Sequence, residues 1–252
     1  MTAPTLTERA DEGADALAGR VVLVTGAYGA LGAAAAQACA RAGATVVLLG
    51  RKVPRLNRVY DAIAAIGPEP LLYPLDLEGA SADDYAELAE RIDGELGRLD
   101  GVLHCAAEFR GLTPLLQTDP AAFARALHVN LTARWWLSQA CLPLLMKAPD
   151  AALVFTVDEL ARVGQAYWGG YGLAQHAAVA MVGMLHAELA NSTVRVAGLE
   201  PGPLRSALRS KAYVDEHDRS ARDPALYADA CVTLLSAAGA PHRGRVWKPR
   251  PA

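Results

Sequence analysis

Short apolar runs alternate along this chain with longer stretches of helical periodicity. The runs are Arg20–Thr25, Ala44–Gly50, Pro70–Leu75, Asp100–Cys105, Ala151–Thr156, Thr193–Leu199 and Arg243–Trp247. They are mostly apolar throughout rather than alternating, as strands covered on both faces are. Between them lie Ala30–Ala42, Val53–Ile66, Asp83–Leu96, Ala121–Met146, Gly170–Asn191 and Pro224–Ala237, each with helical spacing of its apolar positions. Regular alternation of strand and helix predicts a parallel sheet with helices on both faces. No internal repeat and no second domain interrupts the pattern. A single domain over residues 19–248 is expected, with a lead-in at 1–18 and a short Pro-containing tail at 249–252; residues 1–18 and Lys248–Ala252 read as the loosely held parts.

Composition narrows the function classes. The chain has 252 residues, is 52% hydrophobic and carries a net charge of −3. That supports a large core and argues against nucleic acid or an anionic membrane as the main partner. No apolar run approaches the ~18 residues of a membrane span. The polar N-terminal stretch lacks the apolar centre of a signal peptide, so a cytoplasmic protein is expected. Cys39, Cys105, Cys141 and Cys231 are scattered, as small buried residues in a reducing compartment would be.

The chemistry-bearing motifs follow the strands. Val21–Gly32 reads VVLVTGAYGALG, a buried strand entering a glycine turn and then an Ala-rich helix. Such a turn brings backbone close to a pyrophosphate and presents the amides of a helix N-terminus to it. The second strand ends in Gly50-Arg51 with no acidic residue, so the ribose-hydroxyl acceptor of NAD sites is missing and Arg51 offers a donor fork suited to a 2′-phosphate. Asp76 follows the third strand, where it suits either a turn or a ligand. His104 and Cys105 are neighbours on a strand and point to opposite faces, so they form no catalytic pair there.

The ordered motifs of residues 18–248 resemble the short-chain dehydrogenase/reductase family, and within it bacterial 3-oxoacyl-carrier-protein-reductase-like oxidoreductases. The resemblance implies a Rossmann-type three-layer α/β/α sandwich with a seven-stranded parallel sheet. It implies NADP(H) as cofactor, with NAD(H) or no cofactor as alternatives. It places Thr25, Gly26, Tyr28, Ala30, Leu31, Gly32, Arg51, Asp76, Leu77, Cys105, Ala106, Pro201, Gly202 and Leu204 around that cofactor. Ala30 stands where the family has its middle turn glycine. Cys105 and Ala107 replace the Asn and Gly of Asn-Ala-Gly, and Glu200 replaces the Asn before Pro201-Gly202. Arg205 is a candidate to balance Glu200, and Ser206 to stand in for a cofactor-binding Thr. The polar stretch 204–221, with Arg205, Arg209, Lys211 and Arg219, and Arg222 next to it, corresponds to the substrate lid and would suit an anionic ligand or simply a solvated face.

The catalytic set is where the chain departs most. Asn130 and Tyr171 match the family's Asn and Tyr, but the serine position is Asp158 and the lysine position is Gln175. Carbonyl reduction needs a proton donor, a carbonyl polariser and a charge that tunes the donor. Gln175 carries no charge, and an ionised Asp158 would raise the tyrosine pKa. His176 turns away from the face shared by Tyr171 and Gln175. Three readings follow: a divergent NADP(H)-dependent oxidoreductase acting on a carbonyl or alcohol, a catalytically impaired pseudoenzyme that binds nucleotide or pairs with an active relative, and a non-hydride reaction with Asp158 as base. The resemblance also implies a homodimer or homotetramer through the two long helices, with a hetero-oligomer as alternative. One of Trp135 and Trp136 is left over for such a surface.

Overall fold

A computed structural model describes residues 15–213 and 220–249. The strands are β1 (Val21–Thr25), β2 (Thr45–Gly50), β3 (Leu71–Pro74), β4 (Gly101–His104), β5 (Ala151–Thr156), β6 (Val194–Leu199) and β7 (Val246–Trp247). All pair in parallel, in the order β3-β2-β1-β4-β5-β6-β7. The helices are α1 (Ala30–Arg41), α2 (Val53–Ala64), α3 (Ala82–Leu96), α4 (Pro120–Leu127), α5 (Ala133–Leu145), α6 (Leu160–Val163), α7 (Gly169–Glu188) and α8 (Ala228–Leu235). This is the expected Rossmann-type sandwich. All seven apolar runs hold strands; Ala151–Thr156 keeps its full length, and the other six are shortened by one to three residues.

Both faces of the sheet are dry, which explains why the runs do not alternate. Val22, Val24, Val46, Leu48 and Val154 pack with Ala35 and Cys39 of α1 and Cys231 and Leu234 of α8. Leu23, Val47, Leu49, Val102 and Phe155 pack on the other face with Leu88 and Ile92 of α3 and Leu137 and Cys141 of α5. Burying each such aliphatic side chain contributes roughly 1.5–3 kcal/mol. α3 is delimited by its own sequence: Ser81 and Asp84 form a reciprocal capping box, and Gly97 at φ 69° ends the helix.

Several expectations need correction. The stretch Ala121–Met146 is not one helix, because a π-helical turn at His128–Thr132 separates α4 from α5. There the Asn130 side-chain amide donates to the Ala126 carbonyl at 2.8 Å, where the ladder shifts register. The stretch from 224 begins as a 3₁₀ turn before α8. The short α6 was not foreseen. The lead-in is not loose up to residue 18: Leu17 is fully buried, and its N–H donates to Ala42 O at 2.8 Å. Lys248 likewise pairs with Glu200 at 2.9 Å. Residues 1–14, Arg219 and the last three residues lie outside the described residues.

At the N-terminal ends of the strands, Asp150 joins distant parts of the chain. Arg20 donates to its carboxylate at 2.7 Å and to Leu235 O at 3.2 Å. Arg195 donates to the same carboxylate at 2.8 Å and to Leu234 O at 3.0 Å. The chemistry lies at the opposite end. The strand order reverses direction between β1 and β4, and such switch points open a crevice beyond the C-terminal strand ends.

Candidate functional site

A cleft of about 510 Å³ occupies that crevice. Its floor at one end is the glycine turn. Gly26 has φ +62°, and a Cβ there would lie 2.8 Å from Ala106 Cα. A Cβ on Gly32 would lie 2.3 Å from Gly26 O. Both positions therefore demand glycine, one for conformation and contact, the other for contact alone. α1 starts at Gly29 without a side-chain cap, and Gly29, Ala30 and Leu31 line the cleft. Ala30 is solvent-exposed, so its methyl group does not close the turn. Thr25 and Gly32 sit behind the cleft wall. Thr25 is fully buried, and its hydroxyl accepts the Ala106 N–H at 3.1 Å, fixing the spacing of β1 and β4.

At the β2 end, Tyr28, Arg51, Arg55, Asp76 and Leu77 line the cleft. Arg51 and Asp76 form an ion pair at 3.6 Å, with half of each side chain exposed. Asp76 also accepts the Glu78 N–H at 3.2 Å, so it serves its turn as well as the cleft. The Arg55 guanidinium lies 5.8 Å from the Tyr28 ring centroid. Arg55 was not singled out from sequence; its position one turn after Arg51, on the same helix entry, was the available signal.

The opposite end carries the substitutions. Tyr171 Oη donates to Asp158 Oδ2 at 3.1 Å. Asp158 Oδ1 accepts from Arg162 and from the Glu159 N–H. Gln175 Oε1 accepts the Asp158 N–H at 3.1 Å. Burial, followed by the adjacent Asp158 carboxylate, pushes the Tyr171 phenol well above the ordinary tyrosine range, outweighing the nearby Arg134 and Arg162. Phe109 and Trp168 close over the tyrosine at ring-centroid distances of 5.1 and 5.9 Å.

Asn130 does not line the cleft. It is fully buried and clamps the segment after β4, accepting the Glu108 N–H at 3.0 Å and donating to Glu108 O at 2.8 Å. His104 meets Ser138 at 2.9 Å on the sheet face of α5, while Cys105 packs on the other face, as their adjacency on a strand requires. Cys105, Ala106, Ala107, Pro201, Gly202, Leu204 and Ser206 all line the cleft. Glu200 is balanced by Lys248, not Arg205, which pairs with Asp223 at 3.2 Å. Ser206 Oγ accepts the Arg209 N–H at 3.1 Å, and Lys211 donates to Phe109 O at 2.7 Å, holding this segment against the cleft. His176 is exposed, its Nδ1 2.9 Å from Gly172 O.

Arg134 is another cleft residue that the sequence motifs do not mark. It is 1% exposed and reaches the same cleft from α5. It lies on the buried stripe of Asn130, Ala133, Leu137 and Cys141, at i+4 from Asn130, and that spacing was the signal.

Among the described residues no group of His, Cys, Asp and Glu is placed to hold a metal, and no helix is long and apolar enough to cross a membrane. Residues 20–217 match the family model for short chain dehydrogenase. The uncharacterized oxidoreductase YciK of Escherichia coli (strain K12) is 37% identical over 212 residues, 84% of each chain. A solved short chain dehydrogenase of Pseudomonas syringae superposes with a TM-score of 0.88 at 40% identity, over 92% of this chain and 95% of that one. Another, from Escherichia coli CFT073 and complexed with NADPH, superposes at 0.89 with 35% identity, over 94% and 99%. With the glycine turn, the switch-point cleft and the tyrosine on α7 all in their places, this chain belongs to the short chain dehydrogenase family of oxidoreductases.

Proposed function

We propose that this chain binds NADP(H) in the cleft and acts as an oxidoreductase on a carbonyl or alcohol substrate, with an altered proton relay. The observation that carries the cofactor reading is the cationic β2 end: Arg51 and Arg55 line the cleft where the strand provides no acidic residue. Guanidinium forks bind phosphate in two-point fashion. The glycine turn and the uncapped start of α1, whose Gly29, Ala30 and Leu31 line the cleft, suit a pyrophosphate. The NADPH complex of the Escherichia coli CFT073 relative supports the same reading. Bound NADP(H) supplies hydride-transfer chemistry. The chain's own residues must then supply the proton.

Tyr171 holds its proton firmly and spends it on a hydrogen bond to Asp158. It can donate to a nascent alkoxide only by leaving that bond, and the phenolate left behind would face a carboxylate. Deprotonating an alcohol is harder still, because no phenolate is present to act as base. The arrangement therefore favours slow reduction over oxidation. The same Tyr171–Asp158 bond favours a second reading, a nucleotide-binding relative with little turnover. It argues against Asp158 as a free general base, since both carboxylate oxygens are engaged.

We read the helical face with Trp135 at 46%, Leu173 at 56% and Met184 at 64% exposure as the surface for a second copy of the chain. The test of the cofactor reading is a calorimetric titration with NADPH, NADP, NADH and NAD. Phosphate-selective binding supports it; no binding of any of the four at millimolar concentration overturns it.

A further inference from the structure

We propose that the buried guanidinium of Arg134 takes the electrostatic place of the ammonium that the family pattern puts at position 175. This rests on the oxidoreductase reading of the cleft. Arg134 is then a positioning residue: it acts through Tyr171, steadying the negative charge that appears on Oη when the proton leaves.

The geometry sets Arg134 apart from a surface arginine. Its two terminal nitrogens donate to Thr156 O at 2.8 Å and Ala106 O at 2.7 Å, spanning the gap between the ends of β5 and β4. Both acceptors are neutral carbonyls, and among the described residues Arg134 forms no ion pair with a carboxylate. Its Nε is buried with no hydrogen-bond partner. A guanidinium keeps its charge in a protein, and an unpaired charge in a dry site is costly to hold. The arrangement therefore asks for an anion that is present only part of the time.

Three charged groups face Tyr171. Asp158 stands at 3.1 Å from Oη, Arg162 lies beyond it and is committed to Asp158, and Arg134 lines the same cleft as Tyr171 from α5, its guanidinium held at Thr156 O and Ala106 O. The rings packed against it, Phe109 and Trp168, are apolar. Gln175, one helical turn on, is neutral and occupied by the Asp158 N–H. When the Tyr171 proton passes to the substrate oxygen, Oη becomes negative beside an ionised Asp158. Arg134 is the cation left uncommitted to a carboxylate, and in a water-poor site its field is little screened. His104, also buried, has its pKa held well below the usual value by burial and then by Arg134.

The alternative is that Arg134 only ties two strands together. The test reads Tyr171 ionisation directly. A polyfluorinated tyrosine, whose phenol is far more acidic, replaces Tyr171, and fluorine NMR follows its midpoint without nucleotide. Arg134→Lys keeps the charge and loosens the clamp, whereas Arg134→Gln keeps amide donors and loses the charge. The expected result is a midpoint near the parent's in Arg134→Lys and one raised by about one pH unit or more, tenfold in acidity, in Arg134→Gln. Adding Gln175→Lys to Arg134→Gln brings the midpoint back down. Arg134→Met serves the same comparison if the glutamine variant is not recovered folded. Equal midpoints in the lysine variant and its neutral counterpart overturn the proposal. NADPH titration of the unaltered protein separates the two readings: no nucleotide binding there, with a midpoint shifted in Arg134→Gln, removes the cofactor reading alone, and intact binding with no shift removes the Arg134 assignment alone.

Discussion

The Tyr171 hydroxyl donates to the Asp158 carboxylate across 3.1 Å, at the position from which a family serine would face the substrate. The donor is thus turned toward the protein. Replacing Asp158 by Ser frees the hydroxyl, and Gln175→Lys adds the tuning charge. The double variant should reduce carbonyl substrates faster than the parent by on the order of 10², the scale of a restored acid–base group. Steady-state NADPH oxidation over a panel of ketones and aldehydes measures it. No gain in a variant that binds NADPH would mean that the pocket, not the relay, limits turnover.

The cofactor end gives a sharper expectation. Arg51→Ala should weaken NADPH by about 1.5–3 kcal/mol, roughly 10- to 150-fold, and leave NADH nearly unchanged. Gly26→Ala should abolish binding of both, because the new Cβ would meet Ala106 backbone at 2.8 Å and the residue sits at φ +62°. Equal loss of NADPH and NADH in Arg51→Ala would refute a role in phosphate selection.

Tyr167 is a backbone outlier with φ 78°, the left-handed region, and it is half-exposed beside the cleft. Asn tolerates this region far better than an aromatic residue. Tyr167→Asn should stabilise the fold by about 1 kcal/mol and raise Tm by about 2–4 °C. A lower Tm in differential scanning calorimetry would show that the ring contributes more than the strain costs.

Alkaline pH should destabilise the protein through its buried thiols. Burial pushes Cys39 and Cys141 up to about 12, while thiols in the unfolded chain ionise near ~8.5. The folded state therefore keeps protons that the unfolded state releases. Stability is intact below about pH 8.5 and falls as pH climbs toward the folded values, by at most ~1.4 kcal/mol per thiol per pH unit. Urea midpoints under reducing conditions at pH 8 and pH 10 should differ in that direction, and Cys141→Ser should flatten the slope. Equal midpoints would show that the thiols do not report on folding.

Much of this fold is legible in the sequence because a sheet covered on both faces writes itself as runs of apolar residues. The glycine turn is legible too, since Gly26 and Gly32 answer to contacts of backbone with backbone. What stays hidden is pairing between side chains from separate elements. Asp158 and Gln175 were visible as substitutions, but not the bonds that join them to Tyr171 and to each other. Arg134 hid inside a mostly apolar helix, where a lone arginine reads as exposed. Asn130 disguised a break, because its side chain takes over a hydrogen bond that the helix ladder gives up.

Asp150, gripped by Arg20 and Arg195 beneath the sheet, has a consequence for how such a protein changes over generations. The fastening sits at the end of the strands that touches no ligand. Residues at the far end can be exchanged while this knot keeps the strands in register. A lineage could in this way shed one reaction and try another without first passing through an unfolded ancestor.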